Sequence, residues 1–269
     1  MNAADRHLNV PGARLRYRDE GAGHALVLVH GWTLDLDMWE PQAPLAARRR
    51  VLRYDRRGFG LSTGRPSLAD DVADLRALLA ATGVVRPVLL GMSQGARVVL
   101  EFAVRHPGVA RGLVLDGAPP FSAADPDYAT DLPMAEFREI AARGGVAAFR
   151  QRWSAHPLMR LVTADTETHA LLAAILARYP GHDLLSPAPA PRESPDARVL
   201  AGIHAPALIL NGARDIDSRQ RAGSRLRETL PIADHVFVGE AAHLSNLDAP
   251  REYNQLISEF AARHIPAAA

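Results

Sequence analysis

The sequence predicts an α/β fold, in which an open and mainly parallel β-sheet is covered by helices and a helical segment is inserted between the two halves of the sheet. Short apolar runs that end in glycine or turn residues alternate with helix-like stretches up to about residue 118. Such runs are typical of strands buried on both faces of a parallel sheet. A mostly helical stretch follows, and the alternation then resumes, which favours parallel strands joined by helices.

The individual elements follow from this alternation. The apolar runs predict strands in both halves of the chain, at residues 26–30, 50–55, 88–92, 112–116, 207–210 and 235–238. Helical spacing predicts helices at residues 67–82, 94–105, 218–230 and 250–264. Asp70 and Asp71 fall in the first turn of the first helix and Gly83 follows its end, as is common at helix termini.

The segment 121–198 interrupts the strand–helix pattern and predicts a helical cap, or lid. Most of it has amphipathic helical spacing, and proline is frequent between residues 180 and 195. The flanking segments, 1–120 and 199–269, need each other to complete one sheet. This favours a single core domain with an inserted cap, and the alternative that stays open is an independent helical domain without a catalytic role.

The composition is ordinary for a globular protein and argues against several classes of partner. The 269 residues are 48% hydrophobic, and 31 Lys and Arg residues balance 30 Asp and Glu residues. This balance favours neither nucleic acid nor an anionic membrane as a partner, and no apolar run approaches the roughly 18 residues of a membrane-spanning helix. The N-terminus lacks the apolar core of a signal peptide and cysteine is absent, so we expect a cytoplasmic protein without disulfides. The sequence indicates no oligomeric state.

A candidate nucleophile lies between the predicted strand 88–92 and the helix that follows it. Residues 91–95 read Gly-Met-Ser-Gln-Gly, which matches the G-x-S-x-G elbow that raises a serine at a strained strand-to-helix turn. Gly91 and Gly95 supply the small neighbours that such a turn needs. In this context Ser93 is predicted to be a nucleophile, whereas the motif alone also fits a glycine-rich turn with an incidental serine.

Two acidic residues compete for the role of the carboxylate that orients a histidine. Asp215 follows the predicted strand 207–210, at the edge of the sheet where ligands of α/β proteins bind. Asp116 ends the strand 112–116 and would lie at the same edge. We expect Asp215 to be the catalytic acid, and Asp116 stays the alternative. A capping or turn-forming role for Asp215 is also open from its position alone.

His243 follows the last predicted strand and completes a possible triad. The chain has 11 histidines, so one histidine in a loop means little by itself. The order nucleophile, acid, histidine, each after a separate strand, is the order found in Ser-His-Asp enzymes with an α/β sheet. Taken together, Ser93, Asp215 and His243 predict nucleophilic catalysis with His243 as general base.

The first core strand ends in His30-Gly31-Trp32, where an oxyanion site is expected. Acyl transfer requires backbone N–H groups directed at the oxygen that becomes negative. We expect the N–H groups of Trp32 and of Gln94, the residue after the nucleophile, to be these donors. For His30 we expect a structural role that shapes the loop.

Five segments resemble, in content and order, those of the α/β-hydrolase superfamily over nearly the whole chain. They are HGW at 30–32, DRRGFGLS at 55–62, GMSQG at 91–95, GARD at 212–215 and AAHLSNLDAP at 241–250. The tail from Gly239 to Pro250 is most similar to the 3-oxoadipate enol-lactonase group of esterases and lactonases. The resemblance implies the α/β-hydrolase fold and the triad Ser93, Asp215 and His243.

The same resemblance assigns an architectural role to the segment DRRGFGLS. Asp55, Arg57, Gly58 and Gly60 match the D-x-R-G-x-G pattern of the superfamily, which implies that they support the loop near the active site. The group of lactonases usually carries a different segment at HGW, and Ala96 stands where many relatives have glycine.

These residues predict a cofactor-independent serine hydrolase that cleaves a small carboxylic ester or lactone. Two alternatives use the same triad, namely hydrolysis of a carbon–carbon bond in a ring-cleavage product and perhydrolysis of a carboxylic acid. A third, of a different class, is a small-molecule receptor with a hydrolase fold. The histidines lack paired ligand spacing, and no dinucleotide or phosphate-binding motif occurs, so we expect no metal and no cofactor. In the cap, Trp153 and Met159 are the expected pocket-facing residues.

Overall fold

The computed structural model describes residues 4–121, 127, 132–186 and 197–264. The strands within these residues are β1 (Arg6–Val10), β2 (Ala13–Glu20), β3 (Ala25–Val29), β4 (Arg50–Tyr54), β5 (Val88–Met92), β6 (Gly112–Asp116), β7 (Ala207–Gly212) and β8 (Ala233–Val238). They form one sheet in the order β1-β2-β4-β3-β5-β6-β7-β8. The pairs β1–β2 and β2–β4 are antiparallel, and the other neighbouring pairs are parallel.

Helices connect most of the parallel strands. The described α-helices are α1 (Leu68–Ala81), α2 (Gln94–Arg105), α3 (Met134–Ser154), α4 (Thr166–Arg178), α5 (His182–Leu185), α6 (Ala197–Leu200), α7 (Asp217–Thr229), α8 (Ser245–Asp248) and α9 (Pro250–His264). The segments Leu36–Ala47 and Pro157–Met159 are 3₁₀ helices. No helix in the described part of the chain is long and apolar enough to cross a membrane.

Strands β3 to β8 and helices α1, α2, α7 and α9 lie where the sequence predicts them, with ends displaced by a few residues. The hairpin of β1 and β2 was not predicted, because most of its residues are polar or charged and β1 is a largely exposed edge strand. Strand β8 begins two residues before the prediction, at Ala233. It is the other edge strand, and polar residues near its beginning interrupt the apolar run. The pattern therefore does not indicate where the strand begins.

The central strands are buried on both faces. In β3, Leu26 and Leu28 belong to one hydrophobic core, and Val27 and Val29 belong to a second core on the opposite face. Helices α1, α2, α6 and α7 cover the second core, whereas α3, α4, α5 and α9 cover the first. This two-sided cover explains why the strands read as continuous apolar runs.

Helices α3, α4 and α5 form a unit between β6 and β7 that we call the helical insertion, residues 132–186. Its longest helix, α3, bends at Gly145, which has a left-handed backbone with φ of 74°. An irregular stretch, 160–165, leads to α4. Both predicted boundaries of the cap, near 121 and 198, adjoin residues that lie outside the described ones, namely 122–126, 128–131 and 187–196.

The insertion packs against the core through aromatic rings. The ring of Trp32, a core residue, lies 4.9 Å from that of Trp153 and 5.6 Å from that of Phe149, measured between centroids. Phe137 and Tyr179 complete the cluster. Aromatic pairs at these separations contribute beyond the apolar area that they bury, so this cluster holds the insertion over one end of the sheet.

Candidate active site

Ser93 lies in the sharp turn between β5 and α2, with a backbone φ of 51°. This left-handed conformation is rare for a residue with a side chain and indicates strain held by its surroundings. The surroundings leave no space for side chains. A Cβ atom on Gly91 would lie 2.3 Å from the Gly95 carbonyl oxygen, and one on Gly95 would lie 2.1 Å from the Val29 carbonyl oxygen. Both glycines are therefore required for the turn.

Asp215 and His243 form a buried pair in the loops after β7 and β8. The His243 Nδ1 atom lies 2.9 Å from Asp215 Oδ2 and 3.1 Å from Oδ1. Asp215 Oδ1 also accepts a hydrogen bond of 2.8 Å from the Ile216 N–H. Since Nδ1 faces the carboxylate, the ring presents Nε2 for proton transfer. This is the arrangement by which an acid fixes the tautomer of a catalytic histidine.

Asp116 has different partners. Its carboxyl group is fully buried and accepts hydrogen bonds from the hydroxyls of Ser245 and Tyr253, at 2.9 Å and 3.1 Å. Burial, helped by the nearby charge of Asp215, raises the pKa of Asp116 to about 8, although the hydrogen bonds from Ser245 and Tyr253 lower it. The group is thus mostly protonated at neutral pH. In the structure the carboxylate that contacts His243 is Asp215.

Ser93 and His243 line one cavity of about 540 Å³, including its solvent-facing mouth. No hydrogen bond joins their side chains within the described residues, and catalytic hydrogen bonds of this kind are often formed only with substrate bound. The other lining residues come from the core and from the insertion. They are Gly31, Trp32, Leu34, Met92, Gln94, Arg97, Pro119, Leu132, Trp153, Leu158, Met159, Arg219 and Leu244.

Trp32 and Gln94, the two residues predicted to supply oxyanion N–H groups, both line the same cavity. Gln94 is the first residue of α2, and the first N–H groups of a helix have no partner within the helix. Neither N–H group donates to another group of the described chain. The Gln94 side chain is bound elsewhere, because its Oε1 accepts a hydrogen bond of 2.6 Å from Arg56.

His30 is fully buried below this site and bonds to the backbone on both sides of its ring. Its Nε2 accepts a 2.8 Å hydrogen bond from the Arg56 N–H, and its Nδ1 lies 2.8 Å from the Gly31 carbonyl oxygen. Nδ1 must then carry the proton. Burial, together with the charge of Arg56, holds the pKa of His30 well below its usual range. The residue shapes the loop as a neutral side chain.

The loop after β4 also supports the site. Asp55 accepts hydrogen bonds from the N–H groups of Leu36 and Leu61, at 2.7 Å and 2.8 Å. Arg57 forms two bonds to Asp74, at 2.6 Å and 2.7 Å. Gly58 and Gly60, as the resemblance implies for this segment, lie at turns with φ of 71° and 54°.

The chain matches a family model described as the alpha/beta hydrolase fold over residues 24–250. It belongs to the α/β-hydrolase fold family. The fold predicted from the sequence, a mainly parallel sheet with flanking helices and a helical insertion, is confirmed by this match and by the structure.

Curated relatives include members of this family with named activities. The chain is 32% identical to a pimeloyl-[acyl-carrier protein] methyl ester esterase of Chromobacterium violaceum over 248 residues, which are 89% of this chain and 94% of that protein. It is 38% identical to a putative non-heme chloroperoxidase of Synechocystis over 113 residues, which are 39% of this chain and 41% of that protein.

Solved structures show the same fold. A thermophilic esterase from Thermogutta terrifontis matches with a TM-score of 0.81 and 25% identity, covering 97% of this chain and all of the other. The enol-lactonase of Burkholderia xenovorans matches with a TM-score of 0.79 and 24% identity over 95% of this chain and 99% of the other. The family match, the curated methyl ester esterase and the thermophilic esterase confirm the predicted resemblance and identify the protein as a hydrolase.

Some residues of this α/β-hydrolase site were not predicted. Gly117, with φ of 54°, directly follows Asp116, and a Cβ atom there would lie 2.7 Å from His243 Cε1. Its position at the end of a predicted strand was a usable signal. Arg97, four residues after Ser93, also lines the cavity, and helical spacing could have predicted this position. Arg219 reaches the cavity through long-range packing that no local pattern indicates.

Proposed function

We propose that the protein is a cofactor-independent serine hydrolase of small carboxylic esters or lactones, with Ser93 as nucleophile, His243 as general base and Asp215 as the orienting acid. The observation that carries the proposal is a buried Asp215–His243 pair whose histidine lines one cavity with the strained Ser93 elbow. A polar pair beside a mostly apolar wall is typical of sites for small molecules.

The reaction follows from these positions. Ser93 Oγ attacks the carbonyl carbon while His243 Nε2 takes its proton, and the N–H groups of Trp32 and Gln94 stabilise the oxyanion. The tetrahedral intermediate then breaks the bond to the alcohol oxygen, which receives the proton from His243. Water, activated by His243, releases the acid from Ser93. In a lactone the freed alcohol belongs to the acyl group itself, so it stays on the acyl-enzyme and the last step releases one hydroxy acid.

The ester and lactone class is supported by the relatives that carry these names. Residues of the insertion, among them Trp153 and Met159, supply one wall of the cavity, and we propose that the insertion acts as a cap that selects the substrate. Two arginines in the lining, Arg97 and Arg219, make esters with a second, carboxylate-bearing end worth including among the substrates tested.

Perhydrolysis is an alternative reaction that the same experiment can test. Three relatives are named non-heme peroxidases, so hydrogen peroxide is a candidate acceptor in place of water. Attack by peroxide on the acyl-enzyme would give a peroxy acid and regenerate Ser93. The cleavage of a carbon–carbon bond would need the same triad and a different substrate.

The proposal is tested by steady-state assays with p-nitrophenyl acetate and butyrate, a set of small lactones, monoesters of dicarboxylic acids, and a ring-cleavage product. Hydrogen peroxide is added in parallel reactions. A fluorophosphonate probe followed by peptide mass analysis identifies the reactive serine. Turnover of an ester or lactone with labelling at Ser93 is the expected result. Labelling elsewhere, or no turnover of any substrate, would contradict the proposal.

A further inference from the structure

Asp248, at the end of α8, contacts two parts of the molecule at once. Its Oδ1 accepts hydrogen bonds from the backbone N–H groups of Val162 and Thr163, at 2.7 Å and 3.0 Å. Its Oδ2 accepts one from the Ala242 N–H, at 2.9 Å. Hydrogen bonds of backbone N–H groups to a carboxylate are stronger than those between neutral groups.

The two contacted segments are the two sides of the cavity. Val162 and Thr163 lie in the irregular stretch of the insertion, just after Met159, which lines the cavity. Ala242 directly precedes His243, and it is 2% exposed. One half-buried carboxylate therefore joins the wall of the insertion to the loop that carries the general base.

Other polar contacts of the insertion with the core leave this loop untouched. Arg178 binds the carboxylates of Asp35 and Asp37, at 2.8 Å and 2.7 Å. The indole of Trp153 donates to the Thr33 hydroxyl, at 2.7 Å. Among the side-chain hydrogen bonds of the described residues, those of Asp248 alone run between the insertion and the His243 loop.

We propose that Asp248 is a positioning residue, which sets the place of His243 relative to the cavity by tying its loop to the insertion. The inference rests on the proposed function, because it assigns His243 the role of base. Without the carboxylate, the Ala242 N–H loses its partner in a buried place, which is costly, and the loop is free to shift. Small displacements of a catalytic group reduce turnover strongly.

Two substitutions of Asp248 weaken the links to different degrees. Asp248→Ala removes both. Asp248→Asn keeps the shape of the side chain but has one acceptor oxygen instead of two. It can therefore accept hydrogen bonds from the insertion or from Ala242, but not from both. If Asp248→Ala does not fold, the isosteric Asp248→Asn variant provides the test.

Two control variants match the two sides of the link. Arg178→Met loosens the insertion from the core without touching the His243 loop. Glu252→Ala removes an exposed bond of 3.2 Å to the Gly239 N–H, earlier in the same loop, without touching the insertion. For each variant we would measure the melting temperature, kcat, KM on an accepted ester, and the rate of Ser93 labelling by a small fluorophosphonate.

We expect both Asp248 variants to lower kcat and the labelling rate together, by about 10- to 100-fold for Asp248→Ala and by less for Asp248→Asn, with KM changed much less than kcat. Arg178→Met should lower the melting temperature and alter KM while labelling stays near wild type. Glu252→Ala should change none of these values.

Two results would overturn the inference. One is a folded Asp248→Asn protein with wild-type kcat and labelling rate. The other is an equal loss of labelling in Arg178→Met and in the Asp248 variants when their melting temperatures fall equally. The slower labelling would then result from lost stability alone. Ser93→Ala is assayed alongside. If it retains turnover, the proposed function fails and the inference fails with it, whereas a dead Ser93→Ala beside fully active Asp248 variants rejects the inference alone.

Discussion

The two walls of the cavity are built in different ways. On the core side, Ser93, Asp215 and His243 each follow a parallel strand within a few residues, and close backbone contacts at glycines fix their loops. On the other side, Trp153, Leu158 and Met159 come from the insertion, which is held by ring contacts and a few polar bonds. Backbone geometry fixes the first wall, and side-chain packing fixes the second.

This difference separates chemistry from selectivity. A site on loops fixed by a sheet holds its groups precisely, whereas a wall made of side chains changes shape with each substitution. Changes in the core wall should therefore act on kcat for every substrate. Changes in the insertion wall should act on the ranking of substrates.

The largest effect is expected from Ser93→Ala, which removes the proposed nucleophile from the core wall. We expect kcat to fall by about 10⁴- to 10⁶-fold, as for other triad residues, with an unchanged melting temperature. Ser224→Ala, on the exposed face of α7, is the control. A purified, folded Ser93→Ala protein with more than about a tenth of wild-type activity would contradict the assignment.

The two acids of the core wall give the next test. Asp215→Asn should lower kcat/KM by about 10⁴-fold, because an amide at this place favours the wrong histidine tautomer. Asp116→Asn should lower kcat/KM by less than about tenfold, which corresponds to the free energy of one hydrogen bond. The effect is small because the Asp116 carboxyl is mostly protonated at neutral pH, with a pKa of about 8. The ratio of the two effects is decisive, and a reversed ratio would make Asp116 the catalytic acid.

Gly117→Ala tests how tightly the backbone fixes the base. The added Cβ would lie 2.7 Å from His243 Cε1 and 2.9 Å from Nδ1, so we expect the ring to move and kcat to fall by about 100-fold. Gly83→Ala is the matched control, because Gly83 has a similar φ of 65° and open space around it. Both variants should lose some stability through backbone strain. Equal activity in the two would show that the close approach at Gly117 is unimportant.

The smallest effect on the chemistry is expected in the insertion wall. Trp153→Ala should change the ratio of kcat/KM for p-nitrophenyl butyrate and acetate by about tenfold, the usual scale for a changed apolar pocket. The rate of Ser93 labelling should stay close to wild type. Trp153→Phe keeps an aromatic ring but loses the bond to Thr33 and part of the ring area, so its ratio should lie in between. An unaltered ratio in both variants would contradict a role of the insertion in substrate selectivity.

The same difference decides what the sequence could predict. Ser93, Asp215 and His243 stand within a few residues of the ends of apolar runs, and local signals such as the glycines around Ser93 place them at one edge of the sheet. Strands β3 to β8 were predictable because burial on both faces leaves a continuous apolar run. The β1–β2 hairpin lacks such a run, since its residues are largely polar.

The insertion wall was predicted only in outline. Its helical character and its place between two halves of the sheet follow from the sequence, but which side chains reach the cavity depends on how α3 bends at Gly145 and packs on Trp32. That packing joins residues about 120 positions apart, as in the bond between Trp153 and Thr33, and no local pattern encodes it. The contacts of Asp248, 85 and 86 positions from its partners, belong to the same class.

The chain has three tryptophans, and two of them, Trp32 and Trp153, form part of the cavity wall. The third, Trp39, is fully buried elsewhere in the core and does not line the cavity. Indole emission depends on the polarity of its surroundings, so the intrinsic fluorescence of this protein reports on the filling of its own cavity. A ligand can therefore be followed optically without turnover, and the Trp39 signal supplies a constant background in a Trp153→Phe protein.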